Sequence, residues 1–403
     1  MKRLVLLVVG IMICSMALAQ DLGPYINAPL PQFINPFFDG FSHNYLGAAS
    51  LGRANTGMGL MGGVESILLN PASYDPDKSE VAVELMIKPP VDVEGYQQEA
   101  RYSSPNPLAV LGLGFPISNT LSGTVIYSQP KSLYLDSFSF EMHGGAYWLM
   151  RYPKYYLHQF SGNLAYHSQN LHLGVSLHNQ LHVLDDVPLI RSFERISDTK
   201  YIPRVEIGAL YTGESGNIGL SFIPPSDANW DLKYKQYDSL LPLKMSVGTS
   251  FFENSRTWLL DLDYEQYSAL HSEFKDRLRI KAGFEIERRN TTYRLGYCFS
   301  PEVYHGDYSI LLNTTANADT SNVWDDVPLI MGVDTNTQHF LSAGLSYQHK
   351  IGSINIGLMQ SLVGKAPLTQ ISLGLSIFLD VLRKQPVGET DETESQHPKD
   401  RHL

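Results

Sequence analysis

The sequence predicts an all-β fold, a transmembrane antiparallel β-barrel of about fourteen strands, since single-chain bacterial barrels use even numbers. Three observations predict it. The chain opens on an export signal, and no later stretch is apolar enough for a spanning helix. Apolar and polar residues alternate with a period of two through most of the rest. Aromatic residues make up 11% of the chain, with 23 tyrosines, a surplus suited to the girdles where a barrel meets the two membrane–water interfaces.

Lys2 and Arg3 precede an apolar run from Leu4 to Leu18, and Ala17-Leu18-Ala19 supplies the small residues that a signal peptidase reads. Residues 1–19 are therefore a signal peptide, cut after Ala19 or Gln20. The run is too short for an anchor of ~20 residues. Cys14 is not a lipoprotein site, because Ile13 stands where a small residue is needed. Cleavage leaves Cys298 as the single thiol, so this exported chain has no internal disulfide framework. A barrel gains stability differently, by pairing every backbone group around a closed ring in lipid. The formal charge of −11 becomes −13 without Lys2 and Arg3, which argues against nucleic acid as a partner.

Residues 20–79 are rich in Gly, Pro and Asn and show no sustained alternation. Alternation dominates the barrel region, 80–384. Leu171, Leu173, Val175, Leu177, Asn179, Leu181 and Val183 oppose His172, Gly174, Ser176, His178, Gln180 and His182. A helix, with its period of 3.6, would scramble this division. The pattern recurs with Met245, Val247, Thr249 and Phe251 against Ser246, Gly248 and Ser250, and with Trp258, Leu260, Leu262 and Tyr264 against Asp261, Asp263 and Glu265. It continues with Leu278 to Ile286 against Arg279, Lys281, Gly283 and Glu285, then in 293–299, 341–348 and 371–379. About fifteen candidate strands lie between Glu80 and Leu379, and the even-number rule makes one of them a loop segment or half of a bent strand. Short turns at 213–216 and 253–256 suit the periplasmic end, and long loops near 185–200, 224–241 and 301–337 suit the outer end. A soluble sandwich also alternates, but one face here is Gly, Ser and charge, too polar for a dry core. Residues 385–403 cluster Glu389, Asp391, Glu392 and Glu394 and read as a disordered acidic tail.

The inner face offers few candidates for chemistry. Asp261, Asp263 and Glu265 lie on one strand, with Arg279 and Lys281 on the next and Arg294 beyond. These groups fit a polar track for a solute, or a salt-bridged wall that holds the barrel in shape, and the wall is the favoured reading. His172, His178 and His182 share a face, but a rise of ~3.3 Å per residue puts His178 and His182 about 13 Å apart, too far to share an ion. No metal site and no cofactor is expected. Asp185-Asp186-Val187-Pro188-Leu189-Ile190 recurs as Asp325 to Ile330, each copy in an expected long loop. Paired aspartates suit Ca²⁺, while a plainer reading is a repeated start of a strand. There is no G-x-S-x-G, H-E-x-x-H or phosphate loop, so the chain is not expected to be an enzyme.

Gly52-Arg53-Ala54-Asn55-Thr56-Gly57-Met58-Gly59, followed by Asn70-Pro71-Ala72, resembles the N-terminal region of FadL/TodX-type outer-membrane transporters. Leu241-Pro242, Trp258 to Tyr264, Gly283-Phe284 and Arg294 to Tyr297 resemble that family's middle and late strands. Asp334-Thr335 through Gln338 to Leu345 resembles its late loop-to-strand passage. The resemblance covers about half the chain, and the order of the motifs carries it.

The resemblance implies a fourteen-stranded barrel plugged by an N-terminal hatch, in the outer membrane of a Gram-negative bacterium. It implies passage of long-chain fatty acids or other hydrophobic small molecules, often sideways through a gap in the wall. Residues 20–79 would be the hatch, with Leu60, Met61, Ile67, Leu68, Leu69, Asn70, Pro71 and Ala72 meeting the ligand. Outer-membrane lipids and the barrel assembly machinery are the implied partners. Two departures stand out. Assembly factors read a terminal aromatic, yet twenty-five residues follow Phe378, which leaves room for a protein partner at the tail. No kinked strand that would form a lateral exit is identifiable. The alternative is a barrel of the same fold that serves protein secretion, surface attachment or scaffolding. A general porin would need an open lumen, which a hatch opposes.

Overall fold

Alternation lets one strand face lipid on one side and a polar interior on the other, and in the computed structural model the alternating strands close into a single ring. The structure describes residues 46–379 except 78, 96–97, 105, 143–144, 149–150, 189–195, 229, 233–234, 238–239, 270–273, 304–336 and 363–367. The signal peptide, residues 20–45, the second Asp-Asp-Val-Pro-Leu-Ile copy and the acidic tail lie outside the described residues.

Fourteen wall strands follow one another. The first three are β1 (Glu80–Ile87, continued by Val91–Gly95), β2 (Gln98–Ser103 and Leu108–Ser118) and β3 (Leu121–Met142). Next come β4 (Gly145–Trp148 and Arg151–His167), β5 (Leu171–Pro188), β6 (Ile196–Thr212) and β7 (Gly216–Ile223). The later half comprises β8 (Lys244–Glu253), β9 (Arg256–Glu265), β10 (Arg277–Arg288), β11 (Thr291–Ser300), β12 (Gln338–His349), β13 (Gly352–Ser361) and β14 (Thr369–Phe378). Each is antiparallel to its neighbour, and β1 closes the ring on β14 from Glu80↔Phe378 to Ile87↔Ile371. This is the expected fourteen-stranded barrel. Among the described residues no helix is long and apolar enough to cross a membrane.

The faces divide as the sequence implies. Leu171, Leu173, Val175 and Leu177 are exposed on the outer surface, while His172, Ser176 and His178 are buried inside. Ile371, Leu373, Leu375 and Ile377 repeat this against Ser372 and Ser376. The exposed belt is what lipid solvates.

Six connections at one end have only two or three residues: 119–120, 168–170, 213–215, 254–255, 289–290 and 350–351. In two of them the turn is set by a residue in the left-handed region, Asn254 at φ 56° and Arg289 at φ 55°, as tight hairpins of this twist require. The longest connections, 224–243, 266–276 and 301–337, are all at the opposite end. One expectation needs correction there. Residues 185–188 and 196–200 belong to β5 and β6 rather than to a loop, with Asp186 paired to both Pro153 and Ile196. The first Asp-Asp-Val-Pro copy is thus strand, because pairing continues along β4 and β6 beyond the apolar belt.

Candidate functional site

Residues 46–77 lie against the inner wall and contact strands right around the ring. They contain one short helix, α1 (Ala48–Leu51), and a 3-10 turn at Val64–Leu68. Backbone approaches backbone here, so the wall must have no side chain at the contact. A Cβ on Gly219 of β7 would overlap the Met58 carbonyl, and one on Gly174 of β5 would overlap Pro71. Comparable contacts join Gly296 to Arg53 and Gly357 to Ala48, while Gly114 leaves room for the Tyr74 ring.

Buried wall side chains then satisfy the segment's free backbone groups, as buried polar groups demand. Glu84 of β1 accepts the N–H groups of Gly47 at 3.1 Å and Ala48 at 2.8 Å, and the Ser372 hydroxyl at 2.6 Å. Asp261 of β9 accepts Gly57 at 2.8 Å and Met58 at 3.1 Å. Glu80 accepts the N–H of Val64. Lys281 donates to the Asn55 carbonyl at 3.0 Å. Arg53 meets Glu285 at 2.8 Å, which Arg294 also reaches at 2.6 Å. Ala54 and Asn55, at the centre of this cluster, are both left-handed at φ 58°.

Outward of this segment is a cavity of about 200 Å³. Leu46, Met58, Leu68 and Leu69 of the inner segment form part of its surface, with Leu157, Ile223 and Leu241 of the wall. Charged and polar side chains form most of the remainder. Lys281 pairs with Asp263 at 2.8 Å, Arg279 with Glu265 at 3.1 Å, and His178 with Glu206 at 2.9 Å. Arg277 joins Glu265 at 2.7 Å from the neighbouring register position. Arg204 and Lys244 line the same cavity and form no ion pair with a carboxylate among the described residues. Arg204 instead donates to the carbonyls of Pro224 and Pro242, each at 2.9 Å.

The nine polar residues expected to face the lumen are on the inner face, and six of them, Asp263, Glu265, Arg279, Lys281, His178 and His182, meet at this cavity. Asp261 and Arg294 lie beneath the inner segment instead. His172 is elsewhere, 3.0 Å from His167 at the short-turn end. His182 bonds the Tyr155 hydroxyl at 2.8 Å. Of the eight expected ligand contacts, Leu68 and Leu69 line the cavity. Ile67 is wholly buried, and Leu60 and Met61 are half-buried away from the cavity. Asn70 is fixed by bonds to Met58, Ala209 and Ala72, and the Pro71 carbonyl accepts from Asn163 at 3.0 Å. Leu46, Arg204 and Lys244 were not singled out in the sequence, since nothing local marks them, and Met58 stood out only as part of the Gly52–Gly59 motif.

Three neighbouring strands are interrupted at one level. β1 breaks at Lys88-Pro89-Pro90, β2 breaks over residues 104–107, and β3 skips Gln129 and Pro130 in its pairing with β4. The last bond on this part of β1 runs from Met86 N–H to the Pro107 carbonyl at 2.7 Å. Proline supplies no donor, so the ladder cannot continue through these positions. Pro130 and Lys131 also line the cavity, which therefore reaches the interrupted wall.

Solved barrels of the same architecture are found by structural comparison. The chain superposes on a Pseudomonas aeruginosa FadL homologue with a TM-score of 0.56 at 13% identity, over 84% of this chain and 99% of the other. For the Pseudomonas putida toluene transporter TodX the TM-score is 0.59 at 11% identity, over 85% and 99%. For the Ralstonia pickettii toluene transporter TbuX it is 0.58 at 12%, over 82% and 97%. No protein-family model and no curated protein matches the sequence. At such identities the likeness establishes the fold.

Proposed function

We propose that this barrel of the FadL type is an outer-membrane channel for hydrophobic compounds, in which residues 20–79 act as the hatch and amphiphiles with an acidic head, long-chain fatty acids among them, are the substrates. The observation that carries the reading is the two-sided cavity between inner segment and wall. Met58, Leu68 and Leu69 offer apolar surface, and Arg204 and Lys244 offer positive charge that no carboxylate neutralises by direct contact. Apolar surface with a few convergent polar groups is the usual composition of a small-molecule site. The neighbours in fold include proteins described as toluene transporters, which supports a hydrophobic cargo. They do not distinguish a neutral hydrocarbon from an acid; the two cavity cations favour the acid.

The volume sets a limit. Drug-sized ligands occupy pockets of ~300–1,000 Å³, and this cavity has about 200 Å³. It accommodates a head group and the first carbons of a chain. Passage of a whole amphiphile requires the hatch to shift or the chain to extend into the interrupted wall beside Pro130. An outer-membrane location rests on the export signal at 1–19 and on the exposed apolar belt.

Uptake of labelled oleate and of labelled toluene, by cells lacking their own transporters, tests the reading. Leu68→Asp with Leu69→Asp should abolish oleate uptake, and Arg204→Gln should lower oleate uptake while sparing toluene. A surface-exposed, heat-modifiable barrel is verified for every variant first. If the assembled wild-type barrel takes up neither compound, the proposal fails. Uptake of toluene alone would remove the acidic head from it.

A further inference from the structure

Lys88 is the residue at the interrupted wall that the cavity does not use. Inward positions along β1 alternate through Glu80, Ala82, Glu84 and Met86, and Lys88 continues that series just past the strand's end. It is 7% exposed, and its Nζ has no hydrogen-bond partner among the described residues. Four inward cations of the late wall behave differently. Arg277, Arg279, Lys281 and Arg294 each meet a carboxylate. A buried ammonium without a counter-charge is expensive at membrane depth, and such residues are functional candidates for that reason.

The surroundings narrow the chemistry of the missing counter-charge. Ser128 and Ser132 of β3, on either side of the stretch Gln129-Pro130-Lys131, are wholly buried, and their hydroxyls have no hydrogen-bond partner among the described residues. On the lipid side the same part of the wall exposes Leu85, Ile87 and Leu111. A buried lysine on β1 and two buried hydroxyls on β3 thus stand on the two sides of a break whose outer margin is apolar. That combination suits a molecule with an anionic oxygen group at one end and a hydrocarbon chain at the other.

We propose that Lys88 binds the anionic head group, carboxylate or phosphate, of an amphiphile lodged in the break between β1 and β3, with the chain lying along the apolar margin. The head group comes either from a transported acid, in which case the site deepens the channel reading, or from a lipid of the surrounding leaflet, in which case it stands without it.

Native mass spectrometry of the full chain folded in dodecyl maltoside tests this, with oleate, oleyl alcohol and dioleoyl phosphatidylglycerol as probes. The wild type should hold oleate or phosphatidylglycerol about tenfold more tightly than oleyl alcohol, the size expected of one charge-assisted bond. Lys88→Met should erase that preference without changing oleyl alcohol binding, and Lys88→Arg should keep it. Lys88→Gln replaces Lys88→Met if the latter does not assemble. Dependence confined to oleate identifies a transported acid, and dependence confined to phosphatidylglycerol identifies a lipid. Equal binding of all three probes by the wild type, or anion binding unchanged in Lys88→Met, overturns the proposal. Lys88-dependent binding in a barrel that takes up neither oleate nor toluene would keep this site and remove the channel reading, and uptake with Lys88-independent binding would do the reverse.

Discussion

The late wall, β8 to β14, and the early wall, β1 to β3, are built from the same alternation yet have different ladders. From Lys244↔Glu265 through Gly352↔Ile377 every described pair on the late side keeps its register. On the early side the pairings β1–β2, β2–β3 and β3–β4 all shift. The late side is also where charge is matched strand to strand, with Asp261↔Lys281, Asp263↔Arg279 and Glu265↔Arg277 opposite one another. The early side has Lys88, whose Nζ has no hydrogen-bond partner among the described residues, and prolines at 89, 90, 107 and 130. A barrel wall can thus break its ladder in one sector without losing its ring, provided the late strands stay in register.

The largest expected effect tests how far the late wall depends on its charge pairs. Asp263→Ala leaves Lys281 without its 2.8 Å partner, and stranding a buried charge costs about 4 kcal/mol. The urea midpoint of the barrel folded into vesicles should fall accordingly. The double change Asp263→Leu with Lys281→Met removes both charges and should recover most of the loss, because apolar replacement of a whole pair is often neutral. No recovery would mean that the pair also positions the inner segment through the Lys281–Asn55 bond.

Next is the contact between wall and inner segment. Gly219→Leu forces a side chain onto the Met58 carbonyl and should cost about 3 kcal/mol, the upper part of the overpacking range. Gly162→Val is its control. A Cβ there meets nothing within 4 Å, so stability should stay within ~0.5 kcal/mol of wild type. Protease accessibility of residues 46–77 should rise in the first variant and stay unchanged in the second. A smaller loss, about 2 kcal/mol near the bilayer midplane, is expected for Leu373→Lys on the lipid face, read again as the urea midpoint.

These contrasts follow what was legible in the sequence. A period of two is a local property, so the faces of Leu171 to His178 and the inward position of Asp261, Asp263, Arg279 and Lys281 could be read from single strands. The exact partner of each charge required register, and register is set between strands. The inner segment was legible only as a Gly-, Pro- and Asn-rich stretch. Its fit depends on glycines such as Gly219 and Gly174 that lie far away in sequence, and on carboxylates such as Glu84 whose role appears only once β1 closes on β14. The cavity cations Arg204 and Lys244 come together from β6 and β8 and carry no local motif. The break in the early wall was not legible because Pro89-Pro90, Pro107 and Pro130 read as loop punctuation between strands. In the folded ring they interrupt strands that resume beyond them.

The smallest stability effect bears most directly on the comparison. Pro130→Val would give β3 back an N–H at the skipped position and make the early wall more like the late one. One restored ladder bond is worth about 1 kcal/mol, so the urea midpoint should rise slightly. Oleate uptake should fall in the same variant if the interruption serves as the way through the wall. Uptake that stays at the wild-type rate while stability rises would show that the early wall is open for assembly rather than for passage, and would leave the cavity at Arg204 and Lys244 as the only part of the path that the cargo needs.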